Sequence, residues 1–307
     1  MCRALLYLGE PVLLDNLLFR PDSALVRQSY GPKMLHLLNL AGFGMRAWDR
    51  ETREPQRPFA YASESIPVFD RNLKSLAEKV FGSCVLAHVR GVPYDTAAEV
   101  APQNVHPFQF PGVPLALAHN GDLAGIEAIK PRLAAHVKPE FLARIRGTTD
   151  SEWLYALVVS RLADPHARPA REALIEAITH ALRVVREARA QAGITLASPA
   201  NLFLTDGTQL AAVRYCFDFG RYPTDDPAAL VSGHFNYYSL WYTVGRDYGL
   251  HEGEWKMTGG AEHADSILVA SEPLTRDTAA WVELPEYSLL HVERREGRPA
   301  LTLRFLD

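Results

Sequence analysis

The start of the chain constrains it most. Met1-Cys2-Arg3 runs straight into an apolar stretch, residues 4–8, which reads as a buried strand holding Cys2 at its mouth. If an aminopeptidase removes Met1, Cys2 carries both a thiol and a free α-amine. A free α-amine titrates at about 7.7–8.0, so it can act as a base beside the nucleophile at neutral pH. The neighbouring Arg3 offers a cation that would favour the thiolate if it turned toward the sulfur. Taken alone, a second-position cysteine needs no role at all. The remainder of the chain is what gives it one.

Several function classes drop out on composition. The 307 residues are 48% hydrophobic and 22% charged, enough for one large domain or two modest ones. Net charge is −4 and no long basic tract occurs, which argues against a nucleic-acid partner. Cys2, Cys84 and Cys216 are sparse and far apart, which suits a reducing compartment better than a disulfide scaffold. Neither a CxxC pair nor an HExxH is present, so no metal site is expected. No apolar run reaches the roughly 18 residues that span a bilayer. The first run is broken by Glu10 and lacks the form of a secretory signal, so a cytoplasmic protein without membrane contact is expected.

Along the chain, Gly9-Glu10-Pro11 is a turn signal between residues 4–8 and 12–14, and residues 13–19 begin a short helix. Gly42-Phe43-Gly44 suggests a tight backbone before a strand to Trp48, and residues 49–58 read as an exposed loop. The spacing of Leu73, Leu76, Ala77 and Val80 predicts a helix over 71–81, with Gly82 as its C-cap. Residues 85–90 predict a buried strand ending in Arg90, and residues 114–118 another running into His119-Asn120-Gly121. An arginine suits bidentate grip of a carboxylate, and Asn with backbone amides suits an oxyanion. Arg90 also reads as a surface ion pair, and Asn-Gly as a plain turn. Helical pattern covers 126–145 around Pro131 and Pro139. Thr149 or Asp150 can cap the helix over 153–162, leaving Asp150 open to a capping or an ammonium-binding role. Residues 171–191 predict a long amphipathic helix, and residues 201–215 a hairpin turning at Asp206-Gly207. A loop over 218–228 and strands over 235–244, 266–270, 288–292 and 301–306 complete the chain.

Cys2, the Gly42-Phe43-Gly44 loop, Ala87-His88-Val89-Arg90, His119-Asn120-Gly121 and Thr149-Asp150-Ser151-Glu152 follow one another in the order seen in class II glutamine amidotransferases. The chain resembles that family of N-terminal-nucleophile hydrolases over most of its length. It is most similar to the stand-alone γ-glutamyl amidohydrolase branch, which includes an ergothioneine-pathway enzyme and a glutathione-degrading amidotransferase subunit. Arg27-Gln28-Ser29, Thr205-Asp206-Gly207 and Val269-Ala270-Ser271-Glu272-Pro273-Leu274 also look like that branch.

The resemblance implies an α+β fold, the four-layer αββα sandwich. It implies a single type-2 amidotransferase domain over 1–307, with catalytic motifs in 2–152 and completing strands and helices in 153–307. It implies Cys2 as nucleophile with its own amine as base, and Asn120 and Gly121 as the oxyanion hole. Arg90 would hold the α-carboxylate of a glutamyl group and Asp150 its α-ammonium, with His119 also on the substrate-binding side. The substrate implied is a small γ-glutamyl amide, hydrolysed through a thioester without a cofactor. A glutaminase subunit serving a separate synthase, a subunit paired with a peptidase, and a non-catalytic binding protein on the same scaffold are the competing readings. In one place the sequence departs from the family. Related enzymes carry Asn-x-Asp-Gly-Phe-Gly, whereas Leu40-Ala41 precede Gly42 here and Met45-Arg46-Ala47-Trp48 follow. That departure bears on loop geometry or the leaving-group side and spares the glutamyl end.

Overall fold

The computed structural model describes residues 2–34, 38–92, 99–219, 239–295 and 298–306. Most of the expected 218–228 loop, the start of the expected 235–244 strand, and Met1 lie outside the described residues.

Two antiparallel sheets face each other. With strands numbered along the chain, the first runs β13 (Val282–Glu283), β9 (Trp241–Gly245), β12 (Ser266–Ala270), β1 (Arg3–Leu13), β4 (Phe81–Val89), β2 (Phe43–Trp48), β3 (Phe59–Ser63). The second runs β15 (Arg298–Phe305), β14 (Ser288–Arg295), β7 (Gln209–Arg214), β6 (Ser198–Thr205), β5 (Ala116–Gly121), with β8 (Cys216–Phe217) on β6. A separate hairpin pairs β10 (Asp247–His251) with β11 (Glu254–Thr258).

The period-two alternation of these strands builds three cores. Ala4, Leu6 and Leu8 of β1 meet Ala116 and Ala118 of β5 and Phe203 of β6 between the sheets. Leu5 and Tyr7 point the other way, onto α1 (Leu14–Leu18) and α2 (Arg71–Ala77). Leu117 of β5 and Leu202 and Leu204 of β6 pack under α3 (Ile126–Ala134), α5 (Asp150–Arg161) and α6 (Arg171–Gln191). A short α4 (Pro139–Leu142) adds Phe141 to that last core. Three separate apolar interfaces require four layers, so the molecule is an αββα sandwich.

Three local expectations are corrected. Gly9-Glu10-Pro11 does not turn the chain: β1 continues through it, with a register shift between Leu8 and Val12 that accommodates the proline. The Glu10 N–H instead donates to Ser266 Oγ at 3.1 Å. Gly82 is not a helix cap; α2 ends at Ala77 and Gly82 pairs with Val12 inside β4. Asn120-Gly121 is not a turn, because β5 runs through both, opposite Asn201 and Ala200. Among the described residues no helix is long and apolar enough to cross a membrane, and no group of three His, Cys, Asp or Glu could hold a metal ion. All three cysteines are free and buried.

Candidate active site

Cys2 precedes β1 by one residue and is 7% exposed, at the end of the cleft between the sheets. Two backbone anchors fix the strand behind it. The Ala4 N–H donates to Ser271 Oγ at 3.0 Å, and the Ser271 N–H donates to Ala4 O at 3.0 Å. The Cys2 sulfur accepts the Gly91 N–H at 3.4 Å. Burial pushes the Cys2 thiol up, against the downward pull of the amino-terminal charge, the Gly91 amide and Arg90. A raised thiol rests protonated and needs a base within reach before it can attack, as a freed α-amine on the same residue would be.

Arg3 does not serve the sulfur in the way its sequence position suggested. Its side chain is fully buried against Glu272, Nε to Oε2 at 3.5 Å, while Nη1 donates to the Cys2 carbonyl at 3.2 Å. Glu272 also accepts Ser23 Oγ and the amides of Lys33 and Met34 at 3.0–3.1 Å. The Arg3 charge is therefore matched, and the residue acts as a brace on the Cys2 backbone.

Arg90 follows β4 directly and lies beside Gly91, 5% exposed. Nη1 donates to Glu99 O at 2.8 Å, and among the described residues no carboxylate pairs with the guanidinium. Burial lowers the Arg90 guanidinium from its ordinary value, while Cys2, Asp150 and Glu99 act in the opposite sense. Its backbone is clamped by the preceding loop: the Ala41 N–H donates to Arg90 O at 2.9 Å and the Arg90 N–H to Gly42 O at 2.8 Å. Alanine at position 41 thus leaves the loop seated on Arg90 through main chain alone.

Asp150 opens α5, capped by Thr149, whose Oγ1 accepts the Glu152 N–H. Asp150 Oδ2 accepts the Leu123 N–H at 2.6 Å and Oδ1 accepts the Ser151 hydroxyl at 2.9 Å. Burial raises this carboxyl, but His119, the Leu123 amide and Ser151 outweigh it and hold it below its ordinary value. Asp150 is therefore an anion at neutral pH. His119 lies behind it, 1% exposed. Its Nδ1 is 2.9 Å from Ser151 Oγ and 3.7 Å from Asp150 Oδ1, and its Nε2 is 3.4 Å from Pro199 O. Strand alternation sends His119 into the helix-covered side of β5, where it supports Asp150.

Asn120, on the opposite face of β5, turns into the cleft between the sheets. Its Nδ2 donates one hydrogen to Ser271 Oγ at 3.0 Å, the same hydroxyl that holds Ala4. An amide carries two such hydrogens, so one remains for a ligand. Its Oδ1 is buried with no partner among the described residues. Gly121 has no room for a side chain: a Cβ would stand 2.0 Å from Pro199 O.

Four contributors went unassigned in the sequence. Gly91 supplies an amide to the sulfur, and Ser271 joins β1 to β5. Asn104 joins Glu99 O to the loop before α5, with Nδ2 at 3.0 Å from Thr148 Oγ1 and Oδ1 accepting the Thr148 N–H. Glu152 accepts the Arg146 and Gly147 amides in that loop. Ser271 stood in a motif that carried the resemblance, whereas Asn104 and Glu99 gave no signal.

Comparison with known proteins bears on the family and the fold. A family model described as glutamine amidotransferases class-II matches residues 50–223. A Saccharomyces cerevisiae protein described as "Probable glutamine amidotransferase DUG3" is 30% identical over 312 residues, spanning 96% of this chain and 82% of the yeast protein. Among solved structures, a glutamine aminotransferase class-II domain protein from Silicibacter pomeroyi has a TM-score of 0.60 at 21% identity, covering 100% of both chains. The glutamine phosphoribosylpyrophosphate amidotransferase of B. subtilis has a TM-score of 0.55 at 17% identity, covering 98% of this chain and 49% of its own. These likenesses place the sandwich among amidotransferase folds. With the family model and the yeast relative, they establish that the chain belongs to the class II glutamine amidotransferases and is an enzyme of the amidohydrolase type.

Proposed function

We propose that the chain hydrolyses a γ-glutamyl amide through a thioester on Cys2. A γ-glutamyl group carries a carboxylate and an ammonium at one end and the scissile amide at the other. Arg90, without a carboxylate partner among the described residues, fits the first charge, and the ionised Asp150 fits the second. The observation that carries the reading is the Gly91 N–H on the buried Cys2 sulfur at 3.4 Å, which sets the adjoining Arg90 beside the thiol, with Arg90 and Asp150 both acting on that thiol electrostatically.

The chemistry follows from the groups present. Once Met1 is gone, the Cys2 amine takes the thiol proton and the sulfur attacks the amide carbon. Negative charge builds on the carbonyl oxygen, where the free Nδ2 hydrogen of Asn120 and the Gly121 backbone can meet it. Collapse breaks the C–N bond, the amine returns its proton to the departing nitrogen, and ammonia or an amine leaves. Water then adds to the thioester, and glutamate departs as the thiol regains its proton.

The test is glutamate release from glutamine and from γ-glutamyl peptides, measured for the wild type and for Cys2→Ala. Loss of release with an unchanged circular-dichroism spectrum is expected; release that survives the substitution would refute the assignment.

A further inference from the structure

A second concentration of charge lies at the other end of the sandwich. Leu8 is six residues from Cys2 along β1, about 20 Å in an extended strand. Leu8, Trp48 and Gly207 help wall a cavity of 660 Å³ there. A second cavity, of 650 Å³, shares Gln56 and Arg168 with it, so the two form one groove. Neither includes Cys2 or any residue assigned above to the glutamyl site.

The lining is basic. Arg50, Arg168 and Arg294 line the first cavity, and Arg46, Arg57 and again Arg168 the second, while no Asp or Glu among the described residues lines either. The carboxylates that reach these arginines come from outside. Glu10 meets Arg294 at 2.6 Å and Arg50 at 3.9 Å, and Glu54 meets Arg57 at 3.5 Å. Among the described residues Arg46 donates to the neutral Gln109 Oε1 at 3.3 Å and to the Met45 carbonyl, and pairs with no carboxylate. Arg168 is exposed and has no hydrogen-bond or ion-pair partner among the described residues. Among the described residues Glu10 and Glu54 pair with these arginines, and Asp49 and Glu51 share a further cavity with Arg57, in a chain whose net charge is −4. In the same wall Trp48, 2% exposed, keeps a buried indole N–H with no acceptor among the described residues.

Concave spaces of this size suit small molecules better than a flat partner surface. Guanidinium forks match phosphate oxygens in pairs, and the weakly hydrated guanidinium suits phosphate recognition better than an ammonium does. We propose that this groove is a binding site for a phosphorylated small molecule, its phosphate held by Arg168 and Arg50 with Arg46 alongside. The site is separate from the glutamyl pocket, so its occupancy does not depend on the reaction proposed for Cys2.

Titration calorimetry of the full chain with pyrophosphate tests it, alongside Arg168→Ala and Arg50→Ala. One-to-one binding is expected, weakened about ten- to a hundredfold by either substitution. Amidohydrolase activity of both variants without pyrophosphate is expected to match the wild type, which shows them folded. Absence of saturable binding, or binding unchanged in both variants, would overturn the proposal. Citrate binding as strong as pyrophosphate binding would reduce the groove to an unselective positive surface and overturn it equally.

Discussion

Ser271 does more at the residue scale than its place in a strand-end motif suggests. Its hydroxyl accepts both the Ala4 N–H and the Asn120 amide, so one oxygen sets the strand behind the nucleophile and the side chain assigned to the oxyanion. Ser271→Ala leaves the buried Ala4 N–H unpaired, a cost of about 1–3 kcal/mol, and frees Asn120 to rotate. We expect kcat to fall roughly ten- to a hundredfold with KM nearly unchanged, since neither glutamyl-end residue moves. Ser271→Thr, which keeps the hydroxyl, should recover most of the loss. An unchanged kcat in Ser271→Ala would show that Asn120 needs no such anchor. Cys2, Arg90, Asn120 and Asp150 became candidates in the sequence only through the family resemblance, since position alone left Cys2 without a role, Arg90 as a surface ion pair, Asn120 in a turn and Asp150 as a helix cap. Asn104 and Glu99 did not, since they work through a carbonyl and an amide that depend on folding to approach Arg90 and Thr148.

Between elements, the decisive contacts are close approaches that only the sheet can reveal. Gly44 of β2 lies opposite His88 of β4, and a Cβ on it would stand 2.1 Å from the His106 carbonyl. Backbone cannot swing aside as a side chain can, so Gly44→Ala should destabilise the protein by about 2 kcal/mol or more in urea denaturation. A change within about 0.5 kcal/mol would mean that the 106 segment is free to shift. The long helix α6 was legible to the residue, since its apolar stripe has an unbroken 3.6-residue period. The β10–β11 hairpin and the short edge strands β3 and β13 gave no usable pattern, because they bury too little of either face. Gly82 misled for a physical reason. A glycine after a helical stripe looks like a cap, but the stripe ended early and the space at Gly82 was needed for Val85.

Across the whole molecule, the pairing of two sheets buries titratable groups between them, and this governs behaviour in acid. His88 Nε2 reaches across to the His119 carbonyl at 3.2 Å, and its ring lies 4.1 Å from that of His106. Burial drives His88 down to about 3 from an ordinary 6.5, and drives His106 well below its ordinary value too. The folded state refuses protons that the unfolded chain accepts as pH falls from 6.5 toward 3, so stability is complete above 6.5 and declines below it. His106 has both ring nitrogens buried without partners among the described residues and packs against Phe108 at 4.6 Å. His106→Phe therefore removes one such proton uptake at little packing cost. Its melting temperature should fall less than that of the wild type between neutral and mildly acid pH; an equal fall would place the acid sensitivity elsewhere. The four-layer order itself was not legible from periodicity, which shows that a strand is buried but not which layer covers each face. The resemblance to a known family supplied that order. The role proposed for Cys2, freed of Met1, as the nucleophile of a glutamyl pocket is tested by the intact mass of the purified protein before and after reaction with a glutamine-mimicking diazo-ketone. A mass lacking one methionine is expected, then a single adduct located on Cys2; a retained Met1 with no adduct would contradict that role.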